Sequence, residues 1–314
     1  MLPKREPVRV IHRRTTALGV AFVATLATAA ALAAPGGATP PSGVPQLIFP
    51  VVGTTNYHDD FGDPRPQGKH EGNDLLAARL SPAVAAEAGK IKFWTHSATA
   101  GCMLYLYGKS GTTYEYIHLN NDLTDHGDNK GKCVAGTAYM TGLKDGATVQ
   151  AGQQIGFVGD SGDAQGTYHL HFEVHPHDGA ATDPFPFLQK AVHLLVPVNP
   201  KATVSLSVAG KVTALSGNKL TLVPSSLTLL PGAQKLGTTA KTLVLSVPAT
   251  AQLDTGDGTI GSASDTSSLS ALEGQQVVVL TSPARATLAV ALAKPGAISA
   301  SRIAKVALAG HGGP

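Results

Sequence analysis

His169-Leu170-His171-Phe172-Glu173-Val174 alternates polar and apolar residues, the pattern of a β-strand with one face turned to a core. Side chains at i and i+2 share a face. The two imidazoles therefore stand side by side, with Leu170, Phe172 and Val174 on the other face. Such a pair can hold one metal between them, or divide the work of ligand and base. Upstream lies Gly68-Lys69-His70-Glu71-Gly72-Asn73-Asp74, with a second His and an Asp four residues apart. A helix would bring His70 and Asp74 to one face, but Gly72 and Asn73 oppose a helix. A straight strand would hold their Cα atoms about 13 Å apart. The chain must then bend between them, and Gly72 supplies the freedom to bend. His70, Asp74 and one of the paired histidines make three protein ligands with a fourth position open, the arrangement of a catalytic zinc site. A storage or structural site is disfavoured, because structural zinc takes four protein ligands, often cysteines.

Short apolar runs separated by turns must position these groups. They are Leu47–Val52, Ala83–Phe93, Met103–Tyr107, Tyr114–Leu119, Gln154–Val158 and Tyr168–Val174, the cadence of an antiparallel β domain rich in hairpins. With 14% charged residues, 35 Gly and 21 Pro, the chain is mainly β rather than a helical bundle. Asn120–Tyr139 reads as a surface loop. Asp183–Leu188 reads as a closing turn into a short helix, Phe187–Leu195, before Pro197 and Pro200 mark a boundary. Beyond residue 200 there is no Cys, no aromatic residue and one His, His311. Val204–Val208, Lys219–Val223, Lys241–Val247, Gln276–Leu280 and Thr287–Ala293 suggest five or so strands, hence a small barrel or sandwich over 197–308. Residues 309–314 read as a disordered tail.

The N-terminus reads as a targeting segment. Lys4, Arg5, Arg9, Arg13 and Arg14 precede an apolar run from Ala17 to Ala34, so 1–34 is expected to be a signal peptide, followed by a flexible 35–46. An uncleaved anchor is the alternative, since a run of that length is at the short limit for a membrane span. Cleavage leaves no stable span and an exported protein, extracellular, in the wall or in the periplasm. The leader holds five of the 24 Lys and Arg and one of the 21 Asp and Glu. The remainder is close to neutral, which removes the support for a nucleic-acid partner. The only cysteines, Cys102 and Cys133, suggest one disulfide in an exported chain.

Taken together, His70-x-x-x-Asp74, then Tyr116-Ile117-His118-Leu119, then His169-x-His171 resemble the lysostaphin-type (LytM-type) zinc endopeptidases. Phe61-Gly62-Asp63-Pro64-Arg65 before the first motif is similar too, as are Ala83–Ile91 and Val149–Gly159. The resemblance covers roughly residues 47–190, and it is the set in this order that is specific. It implies a metallopeptidase domain over 47–196 with one zinc ion held by His70, Asp74 and His171. It further implies His169 and His118 as the catalytic imidazoles, and the peptides of bacterial peptidoglycan, cross-bridge or stem, as substrate. Thr167-Tyr168 stands where relatives usually have Gly-Pro, and the connection from His118 to Lys144 is longer than usual, which leaves open the bond cleaved.

Other readings weigh less. A non-catalytic member that binds peptidoglycan or regulates another hydrolase would lack one or more ligands, and none is missing here. Gly159-Asp160-Ser161-Gly162 invites comparison with a serine nucleophile loop, but it is a common turn composition. His175, His177 and Asp178 are read as solvated beyond the strand that Pro176 ends. His58, Asp59, Asp60 and His126 are read as solvated loop residues, with His58 and Arg65 near the groove. Glu71 should point away from the ligands, whereas Glu173 shares the histidine face and could orient one of them. Gly210–Ala214 and Leu272–Val277 weakly resemble small β-barrel domains of unknown function in exported bacterial proteins, so the second domain is a candidate for holding the enzyme at the wall or a partner.

Overall fold

The alternation at 169–174 becomes a strand buried on one face and turned to a cleft on the other. The structure is a computed structural model that describes residues 43–237, 241–254, 260–263, 269–287 and 303–309. The expected leader and most of the lead-in lie outside the described residues, as does all of the expected tail after Ala309. No helix among the described residues is long and apolar enough to cross a membrane.

The first part of the chain forms β1 (Thr55–Asn56), β2 (Pro64–Arg65), β3 (Gly68–Lys69), β4 (Asn73–Ala77), β5 (Pro82–Val84), β6 (Gly89–Ser97), β7 (Gly101–Gly108) and β8 (Thr113–Leu119). It continues with β9 (Thr148–Val149), β10 (Gln154–Phe157) and β11 (His169–His175). Seven of them make an antiparallel sheet in the order β1-β4-β11-β8-β7-β6-β9. β2 and β3 form a separate hairpin, and β10 pairs with β5. On the inner face Leu75, Ile91, Leu104, Leu106, Tyr114, Tyr116, Leu170, Phe172 and Val174 are buried in one cluster. Phe172 lies 5.3 Å from the Tyr116 ring and 5.9 Å from that of Tyr114. The Tyr116 hydroxyl donates to the Val84 carbonyl and accepts from the Ala86 amide, so its burial leaves no polar group unsatisfied. The outer face carries Asp74, His169, His171 and Glu173, and floors the cleft.

The second part forms β12 (Asn199–Ser216), β13 (Lys219–Leu230), β14 (Gln234–Leu236), β15 (Leu243–Ser246), β16 (Gln252–Asp254), β17 (Ile260–Ser262), β18 (Gln276–Thr281), β19 (Ala284–Ala286) and β20 (Ile303–Leu308). These join in a nine-stranded sheet, antiparallel except where β16 meets β20. The long β12–β13 hairpin bends at register shifts beside Gly210 and Val212. Its apolar cluster includes Val208, Leu222, Leu245 and Val279, and extends to Ile48, Val52, Val84 and Leu194–Val198 of the first part.

The structure differs from the sequence reading in several elements. Ala83–Phe93 is two strands, not one, split between β5 and β6. Leu47–Val52 is buried but makes only isolated bridges, Ile48 to Val192 and Val51 to Ala83. The expected helix Phe187–Leu195 is a single turn, Phe185–Leu188. Past it, Val192 bonds to Leu47 and His193 stacks on Phe49 at 4.2 Å, and these tertiary partners replace helical continuation. Thr287 is not in a strand, β19 precedes it, and 288–293 lie outside the described residues.

Cys102 and Cys133 are joined, 31 residues apart, tying the 120–139 insertion to β7. Replacing both with alanine is expected to lower stability by about 3–4 kcal/mol, from the entropy of a loop this long. Denaturant unfolding of the double variant beside the parent checks it.

Candidate metal centre

Register brings the first three groups together. β11 pairs with β4 so that His171 faces Asp74 directly, and with β8 so that His171 also faces Ile117. His70 sits just before β4, held by the turn that precedes β2: its amide bonds to Asp63 O and its carbonyl receives the Gly62 amide. Gly72 does not serve by bending into a left-handed conformation. A Cβ there would lie 2.6 Å from Phe172 O and 2.7 Å from His171 Nε2, so only glycine lets this segment run against β11.

His70 Nε2, Asp74 Oδ1 and His171 Nδ1 form a triangle with sides of 2.9, 3.1 and 3.1 Å. Tetrahedral zinc with ligand bonds near 2.0–2.1 Å needs ligand atoms roughly 3.3 Å apart. The triangle is slightly tighter and needs only small side-chain adjustment, so the residues present fit such an ion. Their outer atoms are occupied in the way a ligand set requires. His70 Nδ1 lies 2.8 Å from the Asp60 carbonyl, and His171 Nε2 lies 2.8 Å from Glu173 Oε1. With those nitrogens donating outward, His70 Nε2 and His171 Nδ1 would turn lone pairs inward to a cation, in place of the protons they share with Asp74 in the metal-free protein. Arg65 donates to Asp74 Oδ2 at 2.8 Å, leaving Oδ1 for the cation.

Electrostatics agree with a cation at this place. Burial works against the Asp74 carboxylate, but hydrogen bonds from His171 and His70 and the nearby His169 hold its pKa well below the carboxylate range. Burial likewise opposes charge on His171, yet Asp74 and Glu173 outweigh it and raise the pKa to about 9. Glu173 is lowered to about 2 because His171 and His175 overcome the cost of its own burial.

The remaining two histidines stand beside the triangle. The rings of His118 and His169 are 4.8 Å apart, and His169 Nε2 is 3.5 Å from Asp74 Oδ1. His169 Nδ1 donates to Thr167 O at 2.8 Å and His118 Nδ1 to Ser161 O at 2.8 Å, so both offer Nε2 as acceptor. Strand alternation would point His118 into the core beside Tyr116. Instead its φ is 61° and the β7–β8 register shifts between Cys102 and Leu104, a bulge that turns the ring to the cleft. Burial, then the adjacent His169, push the His118 pKa down to about 3.

These groups floor a cleft of about 920 Å³, rimmed by Arg65, Gln67 and Lys69 on one side and Thr99, Asp163 and Gln165 on the other. Several residues depart from the sequence reading. Asp60 is 4% exposed rather than solvated: besides bonding His70, its carboxylate contacts Asn73 and Arg65. The hairpin must fold back before these residues meet, and no spacing in the sequence signals it. His175 is also not solvated, lying 2.7 Å from Glu173 Oε2. His58, Asp59, His126, His177 and Asp178 are exposed. Glu71 is exposed but lines the cleft. Ser161 is no nucleophile: it is fully buried, its hydroxyl donating to Leu119 O and accepting from the Cys102 amide.

Residues 68–184 match the model of peptidase family M23, a span that contains all five candidate site residues. That stretch of the chain is similar to the M23 peptidases. Solved structures similar to it include the catalytic domain of the antimicrobial peptidase lysostaphin from Staphylococcus simulans, at 27% identity over 43% of this chain and 92% of that one, with a TM-score of 0.34. Csd3 from Helicobacter pylori is 26% identical over 46% of this chain and 33% of its own, TM-score 0.34. A zinc-containing peptidase from Vibrio cholerae is 22% identical over 43% and 38%, TM-score 0.32. The chain thus spans most of the lysostaphin catalytic domain but well under half of the other two chains. The nine-stranded sheet lies outside the M23 match.

Gly72→Ala is expected to displace His171 and weaken zinc retention by tenfold or more, on the order of other disturbances beside a ligand. Metal content after dialysis against a mild chelator checks it. His118 is expected to stay neutral in the folded metal-free protein well below its unfolded pKa of about 6.5. Its contribution to stability is then full above that value and lost as pH falls toward 3. NMR titration of the His118 ring should show no protonation between pH 5 and 8.

Proposed function

We propose that this protein is an exported zinc-dependent endopeptidase that hydrolyses peptide bonds in bacterial peptidoglycan, in a cross-bridge or stem peptide. The single observation that carries the reading is the triangle of His70 Nε2, Asp74 Oδ1 and His171 Nδ1, flanked by two further imidazoles, His169 and His118, whose Nδ1 atoms bond to backbone carbonyls. The match of residues 68–184 to peptidase family M23 supports the reaction class, and the cleft suits an extended peptide. His70, Asp74 and His171 would hold the zinc. A zinc ion so held supplies Lewis acidity, polarising a carbonyl and acidifying water.

The chain's own residues do the rest. His169 Nε2, 3.5 Å from the ligand oxygen of Asp74, is placed to take a proton from an attacking water and later return it to the leaving amine. Its Nδ1–H donates to Thr167 O throughout, which keeps Nε2 as the accepting nitrogen. That contact uses a backbone carbonyl, so Thr167-Tyr168 in place of Gly-Pro does not disturb it. His118, neutral at working pH with Nε2 as an acceptor, stands 4.8 Å ring to ring from His169, placed to accept a hydrogen bond from the attacking water and help orient it. Arg65 keeps Asp74 from turning its second oxygen inward. The hairpin rim at Gln67 and the opposite rim at Asp163, 3.4 Å apart, narrow the cleft over the histidines.

Turbidity clearing of purified cell walls tests the reading, with mass analysis of the released fragments. Clearing should vanish with a chelator and with His70→Ala. His169→Ala should keep the metal while losing about 10²–10⁴-fold in rate. Clearing that survives both chelation and His70→Ala would overturn the assignment.

A further inference from the structure

One step farther along the sheet face, a second set of ligand atoms converges outside the candidate metal centre. Glu173 on β11 and Glu115 on β8 are direct register partners, and His175 follows on the same face of β11. His175 Nε2 lies 2.7 Å from Glu173 Oε2 and 3.4 Å from Glu115 Oε1. One ligand atom from each residue falls within 4.8 Å of the others.

The surroundings of these three side chains call for a cation. Like charges directly opposite on a sheet repel, and these carboxylates are largely shielded, with 18% and 10% of their side chains exposed. Among the described residues, no lysine or arginine forms an ion pair with either; their ionic partners are His171 and His175. Glu71 adds to the negative field at Glu115. His175 Nδ1 donates to the Gly179 carbonyl at 2.9 Å, and Nε2 faces both carboxylates with a proton shared to Glu173, a proton that a bound cation would displace. Glu173 turns Oε1 to His171 and Oε2 into this second group. With His171 neutral as a zinc ligand, an imidazolium at His175 would leave the group one negative charge in excess, whereas a divalent cation would neutralise it.

We propose that Glu115, Glu173 and His175 form a second divalent-cation site, with an N/O donor set suited to Mn²⁺ or Zn²⁺. An ion there would fix the same Glu173 carboxylate that orients His171, so the two centres would share one bridging side chain. The inference does not depend on peptidase activity.

The test is a Mn²⁺ titration of the full chain after one equivalent of zinc has been supplied, with free Mn²⁺ followed by electron paramagnetic resonance. The wild type should take up one further equivalent. Glu115→Gln and His175→Gln should each weaken that uptake by about tenfold or more, with circular dichroism showing that they fold. His70→Ala should release the zinc and keep the Mn²⁺ equivalent, which separates this site from the peptidase reading. Anomalous scattering at the manganese edge from wild-type crystals should place the ion between Glu115, Glu173 and His175. No further Mn²⁺ uptake by the wild type, uptake indifferent to both glutamine variants, or an ion found only elsewhere would overturn the proposal.

Discussion

The site depends on the register of β11 between β4 and β8. That register sets His171 opposite Asp74, places His169 two residues along the same face, and turns Glu173 toward Glu115. A slip of one residue would drive the imidazoles into the core and expose Leu170, Phe172 and Val174. Phe172 against Tyr114 and Tyr116 is what opposes the slip, because full burial of an aromatic side chain outweighs any single polar contact across the cleft. The chemistry of the outer face is therefore held by the apolar packing of the inner one.

Precision within the site comes from elsewhere. Backbone carbonyls of Asp60, Thr167 and Ser161 each accept a hydrogen bond from one imidazole N–H, and Glu173 accepts a fourth. These partners select the tautomer, and the tautomer decides which nitrogen faces the cleft. Carbonyls are indifferent to side-chain identity, so loops can vary in sequence while keeping the rings oriented. The Cys102–Cys133 bridge and buried Ser161 steady the segment that carries the Ser161 carbonyl, which gives the long insertion a bearing on His118.

The second sheet contributes in a different way. Its aliphatic cluster continues into Ile48, Val52, Val84 and Leu194–Val198, so it braces the segment on which β5 and the closing turn lie. It brings no candidate ligand to the cleft. The family match ends at residue 184, before this sheet begins.

The sequence by itself determined the mainly β character and the polar face of 169–174, since these rest on alternation; it offered His70, Asp74 and one of the paired histidines as candidate ligands, and the family resemblance pointed to His171. It also pointed to Glu173 as an orienting partner, through simple i+2 geometry. Other features needed the tertiary structure. His118 faces the cleft only because a bulge and a positive φ override alternation, and that bulge is set by pairing with β7. Gly72 matters for what stands beside it across the sheet, not for its own backbone freedom. Asp60 looked like a solvated polar residue because its partners Asn73 and Arg65 come from another strand and hairpin; His175 looked solvated because Pro176 follows it, whereas its own strand's Glu173 and Glu115 of β8 enclose it. Local pattern can specify which way a side chain points along one strand; which groups it meets is decided by the pairing of strands distant in the chain.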